Sequence, residues 1–381
     1  MLALGAVVFL LVLALVVLAY QGVAILFAYE MPRLDPAPSR EGPAESIPEL
    51  SVVIAARNEA VDLRETLNDL LAQDCVPGEV VVVDGGSADG TAAVIDSHSP
   101  RVRRIEEPPL PKGWVGKSWG CSTGASATRG TWILFMDADV RTHSTAVRTV
   151  LEWARREGAD LASIGSRIEM RSFWERVVLP FYIQMVLVHL RSSRVNRPRS
   201  KAAMANGQFL LVRREVYEQL GGHASIRGAV LEDVALAERF RAAGRSLRFA
   251  WAPDLASTRM YRGRAEMFEG LLKTVHGTEY SSAVQIGRFL GMIGLFLLPL
   301  GLLPLGWTVG STALIVMGAA LWVALFGKHV AFDRAVGVPA AYGLLYPVSV
   351  AYYLAVLATS IGRGSSRRPV HWKGRAYDIR P

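Results

Sequence analysis

Apolar residues gather in three long blocks at the ends of this 381-residue chain, around a segment of short, regularly punctuated runs. From Leu2 to Ala28 no residue carries a formal charge. A helix of that length reaches about 40 Å, more than the roughly 30 Å hydrocarbon core of a bilayer. A tilted anchor over residues 1–29 is expected. A cleaved signal peptide fits less well, because a basic n-region is missing and the apolar run is too long for an h-region. A second apolar stretch runs from Phe289 to Gly327, interrupted around Pro299, Pro304 and Gly306, and reads as two spans joined by a tight turn. A third, Ala335 to Ile361, follows the polar Lys328, His329, Asp333 and Arg334. Residues 289–362 are therefore expected to hold two or three spans.

Between the blocks the pattern changes. Pro32, Pro36, Pro38 and Pro43, set among Arg, Glu and Ser, mark residues 30–49 as a linker. Residues 50–288 then read as a folded domain. Ser51–Ala56, Val80–Asp84 and Trp132–Met136 are short β-branched or apolar runs, and the helical patterns Glu59–Gln73 and Ser144–Arg156 separate or follow them. This alternation predicts an α/β domain with a mostly parallel, helix-covered sheet. Ligands of such sheets sit beyond the carboxyl ends of the strands. Each run ends in a polar cluster: Arg57-Asn58-Glu59, Asp84-Gly85-Gly86-Ser87 and Asp137-Ala138-Asp139. Phe173–Leu190 is apolar but holds Glu175, Arg176 and Pro180, so it is too short and too interrupted to span. An interfacial helix shaping an entrance and a plain core helix are both open readings for it.

Charge changes the picture in one respect. The formal net charge is +8, but the basic residues flank apolar segments, as in Arg191, Arg194, Arg197, Arg199 and Lys201, or Arg363, Arg367 and Arg368 of the tail, residues 363–381. An anionic membrane surface explains that placement better than nucleic acid, which is not expected as a partner. Cys75 and Cys121 are the only cysteines and give no disulfide framework, so a cytoplasm-facing domain is expected.

The sharpest chemistry is Ile133-Leu134-Phe135-Met136-Asp137-Ala138-Asp139, a buried strand delivering two carboxylates to its carboxyl end. Side chains at i and i+2 of an extended segment share a face, so Asp137 and Asp139 can reach one cation. Oxygen donors suit Mg²⁺ or Mn²⁺, whose shell substrate phosphates complete. The Asp84–Thr91 loop follows a four-valine strand; Asp84 could accept hydrogen bonds from a nucleotide, or the loop could be a glycine turn before the next helix. Leu231–Phe240 reads as the start of a helix whose dipole favours Glu232 and Asp233. Functionally, the pair is a catalytic candidate with Asp233 as general base. Lys117 and Arg262 lie in loops that a phosphate could reach.

Arg57-Asn58-Glu59, the Asp84–Thr91 loop, Asp137-Ala138-Asp139 and Glu232-Asp233 occur in the order and spacing of family-2 glycosyltransferases with the GT-A fold, which the chain resembles. Pro108-Pro109-Leu110-Pro111-Lys112-Gly113-Trp114-Val115-Gly116-Lys117, Gly221-Gly222-His223, Arg259-Met260-Tyr261 and the tail His371–Tyr377 are similar to a membrane-bound branch, the carotenoid (diaponeurosporenoate-type) and hopanoid-associated glycosyltransferases. The resemblance implies a donor site for a UDP-sugar drawing on Arg57, Glu59, Asp84, Lys117 and Asp137, a metal on Asp137 and Asp139, and Asp233 as the base. Displacement with inversion onto a membrane lipid acceptor follows. Gly85 stands where many relatives carry a second Asp. The Gln-x-x-Arg-Trp motif of processive members is absent near Arg259–Glu269, which implies transfer of a single hexose.

Nucleotide sugars are cytoplasmic, so three spans after the domain would put the basic tail outside, against the positive-inside rule. A re-entrant pair of short helices across Ala335–Ile361, which contains Pro339 and Pro347, would relieve the conflict. A polyisoprenyl-phosphate, glycerolipid or sphingolipid acceptor and a catalytically silent membrane scaffold are the alternative readings of function.

Overall fold

The computed structural model describes residues 31–40, 42, 44–189, 194–197, 199–276, 282–366, 370–372 and 375–377, with positions 8, 9, 12, 15, 16 and 19 near the amino terminus. The anchor expected over residues 1–29 thus lies almost wholly outside the described residues. So do Arg191, Arg367, Arg368, Lys373 and Gly374 of the basic clusters and tail.

The central strands are near-continuous apolar runs, the signature of strands covered on both faces. β1 (Glu45–Ala56) pairs in parallel with β2 (Cys75–Asp84) on one side, β3 (Arg103–Glu106) extends that side in parallel, and β4 (Trp132–Met136) joins β1 in parallel on the other. β5 (Val140–Thr142), β7 (Arg167–Ile168) and β10 (Ala256–Thr258) form a small second sheet. The main sheet closes with β6 (Leu161–Gly165), β8 (Phe209–Arg213) and β9 (Leu247–Trp251) in the order β3-β2-β1-β4-β8-β6-β9. All its pairings are parallel except those of β8, which runs against both β4 and β6. The reversal matters to the site. With Phe209 opposite Met136, the segment entering β8 lies beside the carboxyl end of β4.

Alternate residues of β1 serve different cores, as strand pleating requires. Val52 and Ile54 pack with Leu63, Leu67 and Leu70 of the Ala60–Leu71 helix, whereas Val53 packs with Cys121 and Ala125. The Gly116–Ser126 helix reaches β1 so closely that a Cβ at Gly124 would overlap Val53. That close approach fixes the position of Lys117 at the first turn.

Three helices among the described residues are long and apolar enough to cross a membrane: Ala283–Thr308, Thr312–Ala335 and Ala340–Arg363. Their sides carry exposed apolar groups, Trp307 at 72% and Val323 at 74%, as a lipid-facing surface would. The first turn between them falls after Thr308, beyond the prolines that were expected to break the helix. Pro299 sits in the first turn of the Leu298–Thr308 helix, where its missing N–H costs little. Lys328, His329, Asp333 and Arg334, expected between spans, lie inside the second helix, with the first three buried. The re-entrant pair expected across Ala335–Ile361 is instead a 3₁₀ turn, Ala340–Leu345, running directly into one long helix, Tyr346–Ser366.

The Phe173–His189 helix, left open between an entrance helix and a core helix, packs into a core. Val177, Val178, Leu179 and Phe181 are buried in a cluster that also takes in Met292, Phe296, Tyr346 and Val350 of the apolar helices. Its first turn is held by Glu175, which is fully buried. Glu175 accepts hydrogen bonds from Arg259 Nη2 at 3.0 Å, Ser172 Oγ at 2.7 Å and the Arg171 amide at 2.7 Å. Burial alone would raise its pKa, but the Arg259 guanidinium and the other donors outweigh it and hold the carboxyl at about 2. The folded value lies below the ordinary 4.5, so this contribution is complete above pH 4.5 and is lost as pH falls toward about 2. Glu175→Ala strands a mostly buried guanidinium and is expected to cost ~3–5 kcal/mol. Thermal unfolding in detergent at pH 7 measures this; a midpoint equal to wild type would show that the pair does not anchor the helix.

Candidate active site

The carboxyl ends of β1, β2 and β4 open into one cavity of about 850 Å³. Arg57, Glu59, Lys117, Asp137, Asp139, Glu232, Asp233 and Arg262 all line it. The residues proposed from sequence are therefore brought to one place, with one exception. Asp84 is buried in its own loop, where Oδ1 accepts the Ser87 amide at 3.0 Å and the Ser87 hydroxyl at 2.6 Å, and Gly85 forms the wall instead. The two loops are laced together. Asn58, in the left-handed region at φ 54°, accepts the Ala88 amide on Oδ1 at 2.9 Å and donates its own amide to Ser87 Oγ at 3.0 Å.

Three charged groups from three elements meet at the centre. Lys117 Nζ lies 2.6 Å from Asp137 Oδ1 and 2.6 Å from Glu232 Oε1. Asp137 ends β4, Lys117 starts one helix and Glu232 starts another, Glu232–Ala242. Asp233 follows, its Oδ2 accepting the Gly207 amide at 2.7 Å and its Oδ1 accepting the Val234 amide at 2.8 Å. Each oxygen keeps a further lone pair for a substrate proton. Burial would lower the pKa of Lys117, but Asp137, Glu232 and Asp233 outweigh it and hold it well above its ordinary value. Burial likewise opposes ionisation of Glu232, yet Lys117 pulls its pKa down. Asp233 is pushed up to about 6, by burial first and by Glu232 second. Two adjacent acids thus acquire different strengths, the arrangement that separates a structural carboxylate from a working base.

Asp139 lines the same cavity, its Oδ2 accepting the Thr258 hydroxyl at 3.0 Å. Among the described residues no cluster of three or more His, Cys, Asp or Glu forms a metal cage. Two carboxylates beside an open cavity fit a Mg²⁺- or Mn²⁺-type ion that takes one or two protein oxygens and finds the rest on substrate phosphates. Arg262 pairs with Asp62 at the rim. Of the resemblance motifs, Arg259-Met260-Tyr261 lines the cavity. The buried His223 of Gly221-Gly222-His223 instead packs edge-on beneath Phe135 at 4.7 Å, with the Tyr217 hydroxyl 2.8 Å from Nδ1.

Several lining residues carry no motif of their own: Asn206, Gly207 and Gln208 at the entry to β8, and Lys273 with Thr274 on the Arg264–His276 helix. The polar stripe Glu266, Gly270, Lys273, Thr274, at helical spacing, is the signal by which the last two could be found. Beyond them the cavity becomes apolar. Gly291, Met292, Leu295 and Phe296 line it along one face of the first membrane-length helix, with Arg288 the charged member of that face, and Ile183, Val186 and Leu187 of the Phe173–His189 helix line it too.

A polar pocket at the carboxyl ends of a mostly parallel sheet, with an Asp-x-Asp pair near the adjacent acids Glu232 and Asp233, is the arrangement of the GT-A glycosyltransferase fold. Residues 51–221 match the family model described as glycosyl transferase family 2, so the chain carries that family's domain. It resembles the carotenoid-type members. It is 27% identical over 237 residues to the 4,4'-diaponeurosporenoate glycosyltransferase of Staphylococcus haemolyticus (strain JCSC1435), a match covering 61% of this chain and 62% of that protein. It is 26% identical over 339 residues to the enzyme of the same name from Staphylococcus aureus (strain USA300), covering 87% and 88%. Among solved structures, the mannosyltransferase PcManGT from Pyrobaculum calidifontis, in complex with GDP-Man and Mn²⁺, shares the fold with a TM-score of 0.52 at 16% identity, over 91% of this chain and 97% of that one.

Gly207 is the tightest point of the centre. A Cβ there would stand 2.8 Å from Lys117 Nζ, 3.0 Å from Glu232 Oε1 and 3.3 Å from Asp233 Oδ2. Gly207→Ala is expected to displace the ammonium and cut turnover at least tenfold while shifting the unfolding midpoint little. Activity within twofold of wild type would show that the clamp is not needed in this geometry.

Proposed function

We propose that this chain is an inverting glycosyltransferase that moves one hexose from a nucleotide-diphosphate sugar, UDP-glucose foremost, onto a membrane terpenoid of the carotenoid-acid type. One observation carries the reading: a single cavity runs from the Asp137–Asp233 centre to an apolar wall built by a membrane-length helix. A soluble sugar acceptor needs no such wall. The names of the two staphylococcal relatives point to a carotenoid carboxylate rather than a hopanoid alcohol. The divalent cation is supported by the oxygen donors present and by the Mn²⁺ in the complex of the Pyrobaculum calidifontis mannosyltransferase.

Asp137 and Asp139 would hold the metal, which supplies positive charge against the departing diphosphate. Lys117, already on Asp137, lies within reach of the same phosphate oxygens. Arg57, Glu59 and the backbone at Gly85 form the donor side of the cavity. Asp233 takes the acceptor proton as the acceptor oxygen bonds to the anomeric carbon and the sugar–phosphate bond breaks, its electron pair leaving with the diphosphate. No covalent enzyme intermediate is needed.

The base form of Asp233 dominates above about pH 6, the value to which burial and Glu232 raise it. Transfer is expected to fall roughly tenfold per unit below that pH. The test is purified protein in detergent with UDP-glucose, Mn²⁺ or Mg²⁺ and a polyene carboxylic acid. Asp139→Asn should abolish turnover, and Asp233→Asn should cost ~10²–10⁴-fold and remove the acidic limb. No donor consumption across a panel of sugar nucleotides would sink the enzymatic reading; an unaffected Asp233→Asn would remove the base.

The catalytic domain faces the cytoplasm, and the basic tail lies on the same side. Arg363, at the end of the third long helix, pairs with Glu269 of the Arg264–His276 helix at 3.5 Å, and Tyr352 donates to the Arg264 carbonyl at 2.8 Å. The third helix packs along the Phe173–His189 and Arg264–His276 helices instead of standing beside the other two alone. Two crossings and one helix lying against the domain restore the positive-inside pattern. A fluorescent protein fused after Pro381 should therefore glow in cells, and an alkaline phosphatase fused there should be silent. The opposite pair of results would put the tail outside.

A further inference from the structure

The cavity changes character where the Arg264–His276 helix crosses it. Lys273 lines it at that point, within reach of the fields of Glu232, Asp137 and Asp233, whose pull partly offsets the burial that lowers its pKa. Thr274, the next residue, lines the cavity too, as do Tyr182 of the Phe173–His189 helix and Tyr353. The same cavity is lined by the acids Asp137, Asp139, Glu232 and Asp233 and by the apolar Met292, Leu295, Phe296 and Leu357, and the fields of Glu232, Asp137 and Asp233 at Lys273 place it near the acids. An amphiphile whose chain lies against the apolar residues leaves its head among the polar ones, Lys273 included.

We propose that Lys273 is the residue that receives the acceptor's carboxyl group, holding one oxygen on its ammonium while the other faces the anomeric carbon. This rests on the carotenoid-acid reading and makes it more specific. The acids Asp137, Asp139, Glu232 and Asp233 oppose ionisation of an acceptor's carboxyl group beside them, and the Lys273 ammonium favours it. In the step itself, an acceptor entering as the acid passes its proton to Asp233. The exposed oxygen lone pair then forms the bond to the anomeric carbon, and the bond to the diphosphate breaks with its electrons. Negative charge developing on the carboxyl is met by Lys273. An alcohol has no second oxygen to give the ammonium, so Lys273 sets a preference for carboxyl over hydroxyl heads.

Retinoic acid and retinol, which share one polyene chain and differ in that head, separate these cases. Their binding to purified full-length protein can be followed by quenching of tryptophan fluorescence, Trp251 lining the cavity. UDP binding is measured in the same preparation by calorimetry. Wild type should prefer retinoic acid. Lys273→Met should weaken retinoic acid at least tenfold, leave retinol within twofold and leave UDP unchanged, while Lys273→Arg should recover most of the acid binding. Equal weakening of acid and alcohol, or loss of UDP binding, would overturn the assignment in favour of a structural or donor-side role. Retinoic acid binding that is unchanged in Lys273→Met sinks the Lys273 assignment alone. A wild type that binds neither polyene sinks the carotenoid-acid reading and this inference with it.

Discussion

The Lys117 ammonium between Asp137 and Glu232 is the interaction on which the centre depends. Carboxylates gathered out of water are costly unless a partner of opposite charge is present, and here Lys117, Asp137 and Glu232 arrive from three different elements. The pairing also assigns roles. By tying down Glu232, Lys117 leaves Asp233 to bear both the burial and the repulsion of its neighbour, so its pKa rises while that of Glu232 falls. Gly207 completes the constraint, because the groups come together only where no side chain intervenes.

The clamp can form because β8 runs against its neighbours. Had it been parallel to β4, its entry would lie at the far edge of the sheet, and Gly207 could not donate to Asp233. Nothing in the apolar run Phe209–Arg213 announces its direction, which is decided by long-range pairing. The strands that could be read from sequence, β1, β2 and β4, are those whose composition requires burial on both faces. The Asp-x-Asp pair and Glu232-Asp233 were legible for a related reason: charged residues directly after a buried strand or at a helix start have few places to go. Asp84 looked equivalent, but a short side chain followed by Gly-Gly-Ser can satisfy itself within its own turn, and it does. Lys273 escaped notice because the stripe it shares with Glu266, Gly270 and Thr274 gains meaning only once that helix packs against the cavity.

The membrane-facing part shows the same division. Length and hydropathy located the apolar helices. Their breaks were misplaced, because Pro299 in a first helical turn is tolerated and because Lys328, His329 and Asp333 are buried within a helix. What no local pattern could show is that Phe181, Met292, Phe296 and Tyr346 share one core. The catalytic domain and the apolar helices are consequently one packed body in this region, with the Glu175–Arg259 pair pinning the helix between them.

The wall of the cavity formed by the first long helix is only one helix thick. Arg288, Met292 and Phe296 face inward, while Ile286 and Leu290 on the same helix are exposed at 45% and 61%. For an acceptor drawn from the bilayer, occupancy is then governed by a mole fraction in two dimensions and not by molarity in solution. Inert lipid or detergent added at constant bulk acceptor dilutes the substrate that such a site encounters. Saturation by an acceptor of that kind is a property of the surrounding membrane as much as of affinity for the site.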